Sequence, residues 1–290
     1  MYLQNFMCNF MHLCHTAQVE KLHMKFCKYI LGTHKYATNA AVLGELGRFP
    51  ILINILDHTI NYYNRVEDMQ GDALIKQSYL DTSYLANDSK HWHSCISKIL
   101  NTFPKQNDSS LTGSMRHLYE RQWHQYISRS GYQCSNKLQC YSTFKNKLKR
   151  ENYIVSNPIN KRRNLTKLRI SAHDLAVETG RYTSPKTPRE QRTCILCTKR
   201  EVEDEFHFLI KCDLYDNERK LFFEKLESYI SAPLSRTYET FIFLMHYCFG
   251  DTELSIDLCN YVNSCTTKRR KHIENIKRKG NEVIPTYIRQ

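Results

Sequence analysis

Four side chains constrain this chain more than any others: Cys194, Cys197, His207 and Cys212, spaced C-x2-C-x9-H-x4-C. Two thiolates with two residues between them let a tight turn aim both sulfurs at one ion. Zinc takes four nitrogen or sulfur ligands in a tetrahedron, at about 2.3 Å to sulfur and about 2.0 Å to nitrogen. Four protein donors fill that shell and leave no place for a catalytic water, so the spacing predicts a structural site with Zn2+ as the cofactor. His207 and Cys212 are five residues apart. They cannot share a face of a regular helix, which needs a separation of four, so a helix is expected to end just before Cys212. Glu201, Glu203, Asp204 and Glu205 fall near the expected helix start, where negative charge is favourable. Phe206, Phe208, Leu209 and Ile210 are placed to pack beneath the metal. A redox reading of the Cys-x-x-Cys pair would need a βαβ setting, and the sequence offers none.

The rest of the chain reads as helix. Glycine (9) and proline (7) are scarce in 290 residues, which leaves long periodic stretches uninterrupted. Val19, Leu22, Phe26, Tyr29 and Ile30 line one face of a helix that Gly32 ends. Asn39 can cap a short helix through Leu46, and Pro50 suits the first turn of a longer one to about Val66, with Ile51, Ile55 and Ile60 inward. Further helices are expected from Asp72 to Leu85, His91 to Phe103, Ser114 to Ser128, and Ser135 to Arg150. The stretch from Leu165 to Val177 fits helix or strand equally. Tyr182 to Arg192, with Pro185 and Pro188, reads as an extended linker. Leu214 to Ile230, Leu234 to Phe249 and Leu254 to Val262 read as three more helices, and the tail from Lys268 as helical only when bound. The expected fold is mainly α: an irregular multi-helix array carrying a small CCHC zinc-knuckle-like module.

The charge is +13 and unevenly placed. Residues 145–169 hold nine Lys/Arg and one Glu, and residues 266–290 hold eight Lys/Arg and two Glu, which leaves the other 240 residues close to neutral. Two such segments suit a polyanion, although a charge run is also what a solvated tail looks like. The candidate phosphate contacts are Lys145, Lys147, Lys149, Arg150, Lys161, Arg162 and Arg163. Tyr141, Phe144 and Tyr153 lie among them, either as stacking partners for unpaired bases or as core. Lys268-Arg269-Arg270-Lys271 reads as a nuclear import signal or as a solvated end.

Several ordered phrases then carry a resemblance. They are Leu168-Arg169-Ile170-Ser171-Ala172-His173-Asp174-Leu175, Glu178-Thr179-Gly180-Arg181-Tyr182, the Cys194–Cys197 pair, Val202-Glu203-Asp204-Glu205-Phe206-His207-Phe208, and Cys212 with Tyr215. Upstream come Lys25-Phe26-Cys27-Lys28, Leu31-Gly32, Asn39 and Gly44-Glu45-Leu46-Gly47-Arg48-Phe49-Pro50. The set resembles the C-terminal region, downstream of the polymerase domain, of LINE-like non-LTR retrotransposon reverse-transcriptase proteins. It covers most of residues 19–216. The resemblance implies that the Cys/His motif helps to hold template RNA or target DNA. It does not carry polymerase chemistry, which needs paired aspartates on two metal ions. The sequence contains no Asp-Asp dipeptide and no Gly-rich phosphate loop. The chain is therefore expected to be a non-catalytic, detached part of such a protein. Its expected divisions are 1–108, resembling the post-polymerase segment; 109–190, basic helix and linker; 191–216, the zinc module; 217–267, C-terminal helices; and 268–290, a basic tail.

The other candidate clusters have plainer readings. His91, His93 and Cys95 alternate as on a half-exposed helix, and Cys8, Cys14 and His15 form a weaker group. His246, Cys248, Cys259 and Cys265 form a second metal site or belong to the core, since buried free cysteine behaves as a small hydrophobe. Cys27, Cys95 and Cys248 also sit in apolar helical patterns. Glu45, Asp57 and Glu67 lack the spacing of a nuclease site. No stretch reaches the roughly 18 apolar residues of a membrane span, and no signal peptide is evident. A reducing compartment, nucleus or cytoplasm, is expected rather than secretion, with Asn87, Asn107 and Asn164 unglycosylated. RNA or DNA is the expected partner; a protein partner suits the acidic run from Glu201 to Glu205.

Overall fold

The computed structural model describes residues 14–71, 73–83, 96, 100–101, 111–128, 137–246 and 252–279. They are mainly α-helical, and the only extended pairing among them is an antiparallel bridge between Thr193 and Val202. No single helix among them is long and apolar enough to cross a membrane. The chain forms two compact units, one of residues 1–26 and 48–126 and one of residues 27–47 and 127–290.

Helix α1 (Cys14–Leu31) runs from the first unit into the second. It buries Met24, Cys27 and Leu31, an i, i+3, i+7 line, whereas Leu22, Phe26 and Tyr29 are exposed. The chain thus offers two apolar faces at helical spacing, and the expected one is the outer. Gly32 follows at φ +67° and ends the helix as expected. In the first unit, α3 (Ile51–Glu67) starts directly after Pro50. Its buried line is Leu52, Ile53, Leu56, Ile60 and Val66, with Ile51 and Ile55 only half-buried. Helix α4 (Leu74–Ser83) returns beside it, and the Tyr79 hydroxyl donates to the Glu67 carboxylate. Helix α5 (Leu111–Ile127) buries Met115 and Trp123. Asp72, Asn87, Asn107, Cys248, Cys8 and the His91, His93, Cys95 group lie outside the described residues, as do the side chains of Cys14 and His15.

The second unit carries the Cys/His module. Helix α2 (Asn39–Leu46) is capped by extended Thr38, so Asn39 is its first residue rather than its cap. Helix α6 (Gln139–Phe144) stops well short of the expected Arg150. Lys145 accounts for this: its buried ammonium donates to the Lys149 carbonyl and to Glu151, and the backbone loops around it. Then come α7 (Tyr153–Ser156), α8 (Ile159–Arg169), α9 (Ala176–Thr179), α10 (Asp216–Ile230), α11 (Tyr238–His246) and α12 (Thr252–Lys279). Helix α12 packs along α8 and α10.

Two connections differ from expectation. Residues 182–192 fold back compactly: Thr187 N–H donates to Gly180 O at 3.2 Å, and buried Arg192 donates to Thr187 O and Val177 O. The basic tail is helical through Lys279, because Arg269 is anchored inside and Ile273 packs against Ala176. Cys259 and Cys265 are core cysteines, as their plainer reading held; burial pushes both thiols up to about 12. Asn164 bonds Asn263 at 2.8 Å.

Candidate metal centre

The two halves of the centre come from different local structures. Residues 192–203 form a tight hairpin: Cys194 N–H donates to Glu201 O at 2.8 Å, and Glu203 N–H to Arg192 O at 2.9 Å. Arg200 takes a left-handed φ of +51°, which lets the chain reverse between Cys197 and Glu201. The second half begins where Asp204 Oδ1 accepts the His207 N–H at 2.9 Å, a side-chain cap on an otherwise orphan donor.

From His207 to Lys211 the helix widens into a single π turn, closed by Cys212 N–H donating to His207 O at 2.8 Å. This is how a five-residue separation reaches one ion. The helix does end just before Cys212, as the spacing predicted. In addition, its last turn closes i to i+5 and brings the fifth residue back beneath the first. Such π turns gather at functional sites.

All four donor atoms lie within 4.8 Å of one another. Cys194 Sγ and Cys212 Sγ are 4.0 Å apart, and Cys197 Sγ and His207 Nε2 are 3.4 Å apart. A tetrahedron with zinc–ligand bond lengths has edges of about 3.8 Å between sulfurs and about 3.6 Å between sulfur and nitrogen. Cys194, His207 and Cys212 are buried, and Cys197 is half-buried. The tetrad can therefore hold a metal ion. Among the described residues it is the only such Cys/His/acid group.

The electrostatics follow from crowding. A hydrogen bond with Cys212, then burial, pushes the Cys194 thiol well up, and burial raises that of Cys197. Burial opposes charge on His207, but Cys194 and then Glu201 lift its imidazole above the ordinary value. A divalent cation relieves both effects by holding thiolates and a neutral imidazole. Glu201 Oε2 lies 3.4 Å from His207 Nδ1, the carboxylate–histidine arrangement that orients a ligand ring.

The shell beneath is built from buried Phe208, Leu209 and Ile210, with half-buried Phe206 against Tyr238 and Phe241. Arg219 of α10 is 1% exposed and donates to Leu209 O at 2.9 Å and to Cys212 O at 2.7 Å. Arg219 has one local partner, Asp216 at i−3; its role at the metal centre carries no local signal in the sequence, since the carbonyls it holds there lie on another element. The acidic run is not a surface patch. Glu203 pairs with Arg269 of α12 at 2.8 and 2.9 Å and accepts the Ala176 N–H at 2.8 Å. Glu205 is buried against His173 and Ser171, each at 2.9 Å. Only Glu201 of the three glutamates is exposed.

The expected phosphate contacts divide. Lys147, Lys149 and Arg150 are exposed and line a hollow of about 210 Å³ with Phe144, Asn152 and His246. Lys161 and Arg163 are exposed on α8. Lys145 and Arg162 are buried instead; Arg162 donates to Asn157 O at 3.0 Å and Ile30 O at 2.8 Å. Tyr141, Phe144 and Tyr153 are core, at most 5% exposed. Of the import-like run, Arg269 is buried. Glu45 is fully buried against Arg169, which removes it from any solvent-facing acidic cluster.

No family model matches the chain, and no curated protein or solved structure matches it at a significant level.

Proposed function

We propose that the chain is a zinc-stabilised, non-catalytic module that associates with RNA or DNA, of the kind that follows the polymerase domain in LINE-like reverse-transcriptase proteins. The observation that carries the zinc assignment is the tetrad itself. Three thiolates and an imidazole at tetrahedral spacing favour zinc over the oxygen-seeking calcium and magnesium. A cation held by four protein donors has no vacant position, which suits a structural role. The described cysteines are free thiols, in keeping with a nuclear or cytoplasmic setting.

The nucleic-acid part rests on exposed Lys147, Lys149, Arg150, Lys161 and Arg163. With the neighbouring aromatics buried, these contacts are to phosphate and not to bases. Such contacts position a chain without reading sequence.

The test has two arms. Purified protein should contain one zinc per chain, lost in Cys194→Ser. Affinity for single-stranded RNA or DNA should fall steeply with salt, and each Lys→Gln change at an exposed position should reduce the log–log slope by about 0.7 to 0.9. Absence of binding even at low salt would remove the nucleic-acid part and leave the metal part standing.

A further inference from the structure

The second unit has another cationic surface, where Arg163 and Lys167 of the basic run 145–169 meet a turn that lies outside both runs. Lys28 stands in the last turn of α1, and the turn that follows holds Gly32, His34, Lys35 and Tyr36. It is tied to α8 from behind by Arg162, whose Nη2 donates to Ile30 O at 2.8 Å. Gly32 leaves room there: a Cβ would fall 3.0 Å from Arg163 Nε, so the Arg163 side chain lies across the turn. Lys167 stands one helical turn from Arg163 on the same face of α8.

The turn is stiff. Lys28 Nζ donates to Lys35 O at 2.7 Å, and Tyr36 N–H donates to His34 Nδ1 at 3.1 Å. Lys35 Nζ sits 4.9 Å from the centre of the Tyr36 ring. Tyr29 and Tyr36 are nonetheless 76% and 70% exposed, the two most open tyrosines among the described residues. Lys35, Arg163 and Lys167 make no ion pair among those residues. Lys137 lies near and is partly neutralised by Glu178.

These cations act on one another. Burial first, then Lys137 and Lys167, hold the His34 imidazole below its ordinary value, and burial followed by Lys137 does the same to Lys28. A fold that collects unpaired positive charge beside two open tyrosine rings has the two parts of a single-strand binding surface. One part is phosphate neutralisation and the other is a sequence-tolerant stacking face. Helix-end capping accounts for Lys28 alone. A duplex would use the cations but leave Tyr29 and Tyr36 unused, because its bases are already stacked.

We propose that the surface formed by Tyr29, Lys35 and Tyr36 with Arg163 and Lys167 binds single-stranded polynucleotide, the tyrosines stacking on unpaired bases and the cations holding the intervening phosphates. The inference deepens the nucleic-acid reading above and places base contact on a surface separate from Lys147, Lys149 and Arg150.

The test compares three forms of the full chain: wild type, Tyr29→Ala/Tyr36→Ala, and Lys147→Gln/Lys149→Gln/Arg150→Gln. Each is titrated with a fluorescent single-stranded RNA, its DNA counterpart and a duplex of equal length. The double-tyrosine variant should lose about thirty-fold or more in affinity for single strands and little for duplex. Tyr36→Phe should keep the affinity, since the ring and not the hydroxyl stacks. Lys35→Gln/Lys167→Gln should lower the single-strand salt slope by about 1.4. Single-strand affinity unchanged in Tyr29→Ala/Tyr36→Ala but lost in the 147–150 variant overturns this surface and leaves the broader reading intact. Wild type that binds neither strand form at low salt overturns both.

Discussion

Glu45 and Arg169, 124 residues apart in sequence, meet as a two-pronged pair inside the second unit, with Arg169 Nε 2.9 Å from one carboxylate oxygen and Nη2 3.0 Å from the other. Tyr153 donates its hydroxyl to the same carboxylate at 2.6 Å, and Phe144 lies under the guanidinium at 4.6 Å. The pair joins α2 to α8 and is closed to solvent on both sides. Arg169→Met should therefore cost about 3–5 kcal/mol, because it strands a buried carboxylate. Replacing both partners by apolar residues should cost much less. Urea unfolding of the two single variants and the double variant measures the difference.

The same pair sets an acid limit. Burial by itself would raise the Glu45 carboxyl, but Arg169 and then Lys145 outweigh it and hold the group below its ordinary range. A depressed folded value gives stability that is fully present above the unfolded value, about 4.3. That stability disappears as pH falls from there through the folded value. Stability plotted against pH should thus decline below about pH 4.3, and Glu45→Gln should flatten this decline while lowering the plateau at neutral pH. A decline of unchanged steepness in Glu45→Gln would assign the acid sensitivity to other groups.

Metal removal should be felt far from the ligands. The hairpin and π turn are packed under α10 by Arg219 and under α12 by Glu203–Arg269. A chelator, or Cys212→Ser, should raise amide exchange at Leu209 and Cys212 first and then along α10 and α12. Added zinc should restore the chelated wild type and raise Tm with concentration, as any ligand specific to the folded state does. Exchange confined to residues 194–212 would show that the C-terminal helices stand without the ion.

How much of this was legible in advance depends on the range of the cause. Cys194, Cys197, His207 and Cys212 announce themselves because ligand spacing is a local property. The end of α1 at Gly32 and the start of α3 after Pro50 were equally local. The burial of Lys145 and Arg162 was not, since each is drawn inward by a carbonyl or carboxylate that only the fold brings near. The outward face of α1 was misjudged because both of its faces are apolar, and periodicity gives a direction only when one face is polar. The π turn shows the limit most clearly: five-residue spacing excluded a shared face on a regular helix but did not reveal a wider turn.

Arg269 and Arg270 make this concrete as a paired experiment. They are neighbours in a run that reads as solvated charge, yet Arg269 is 3% exposed and Arg270 is exposed. Arg269→Gln should cost about 3–5 kcal/mol by leaving Glu203 buried and half-paired. It should also shorten α12, whose residues beyond Arg269 have few other anchors. Arg270→Gln should stay within about 0.5 kcal/mol. Circular dichroism and urea unfolding of the two variants separate these outcomes.

Arg219 offers the sharpest test of the π turn. A widened turn displaces carbonyls from their regular partners, and Arg219 supplies donors to Leu209 O within it and to Cys212 O just after it. Lysine in its place keeps the charge but has a single ammonium, which cannot reach two carbonyls in the fixed geometry of a guanidinium fork. Leu209 O keeps the Tyr261 hydroxyl and Cys212 O the Tyr215 N–H, so Arg219→Lys should cost only the lost charge-assisted bond, about 1.5–3 kcal/mol. It should weaken zinc affinity because Cys212 loses the group that holds its backbone. Asp216→Asn, which alters the half-exposed carboxylate shared by Arg219 and Arg236, should leave metal affinity unchanged. Competition with a chromophoric zinc chelator reads both variants, and equal affinity in Arg219→Lys and wild type would mean that the π turn holds its shape without the arginine.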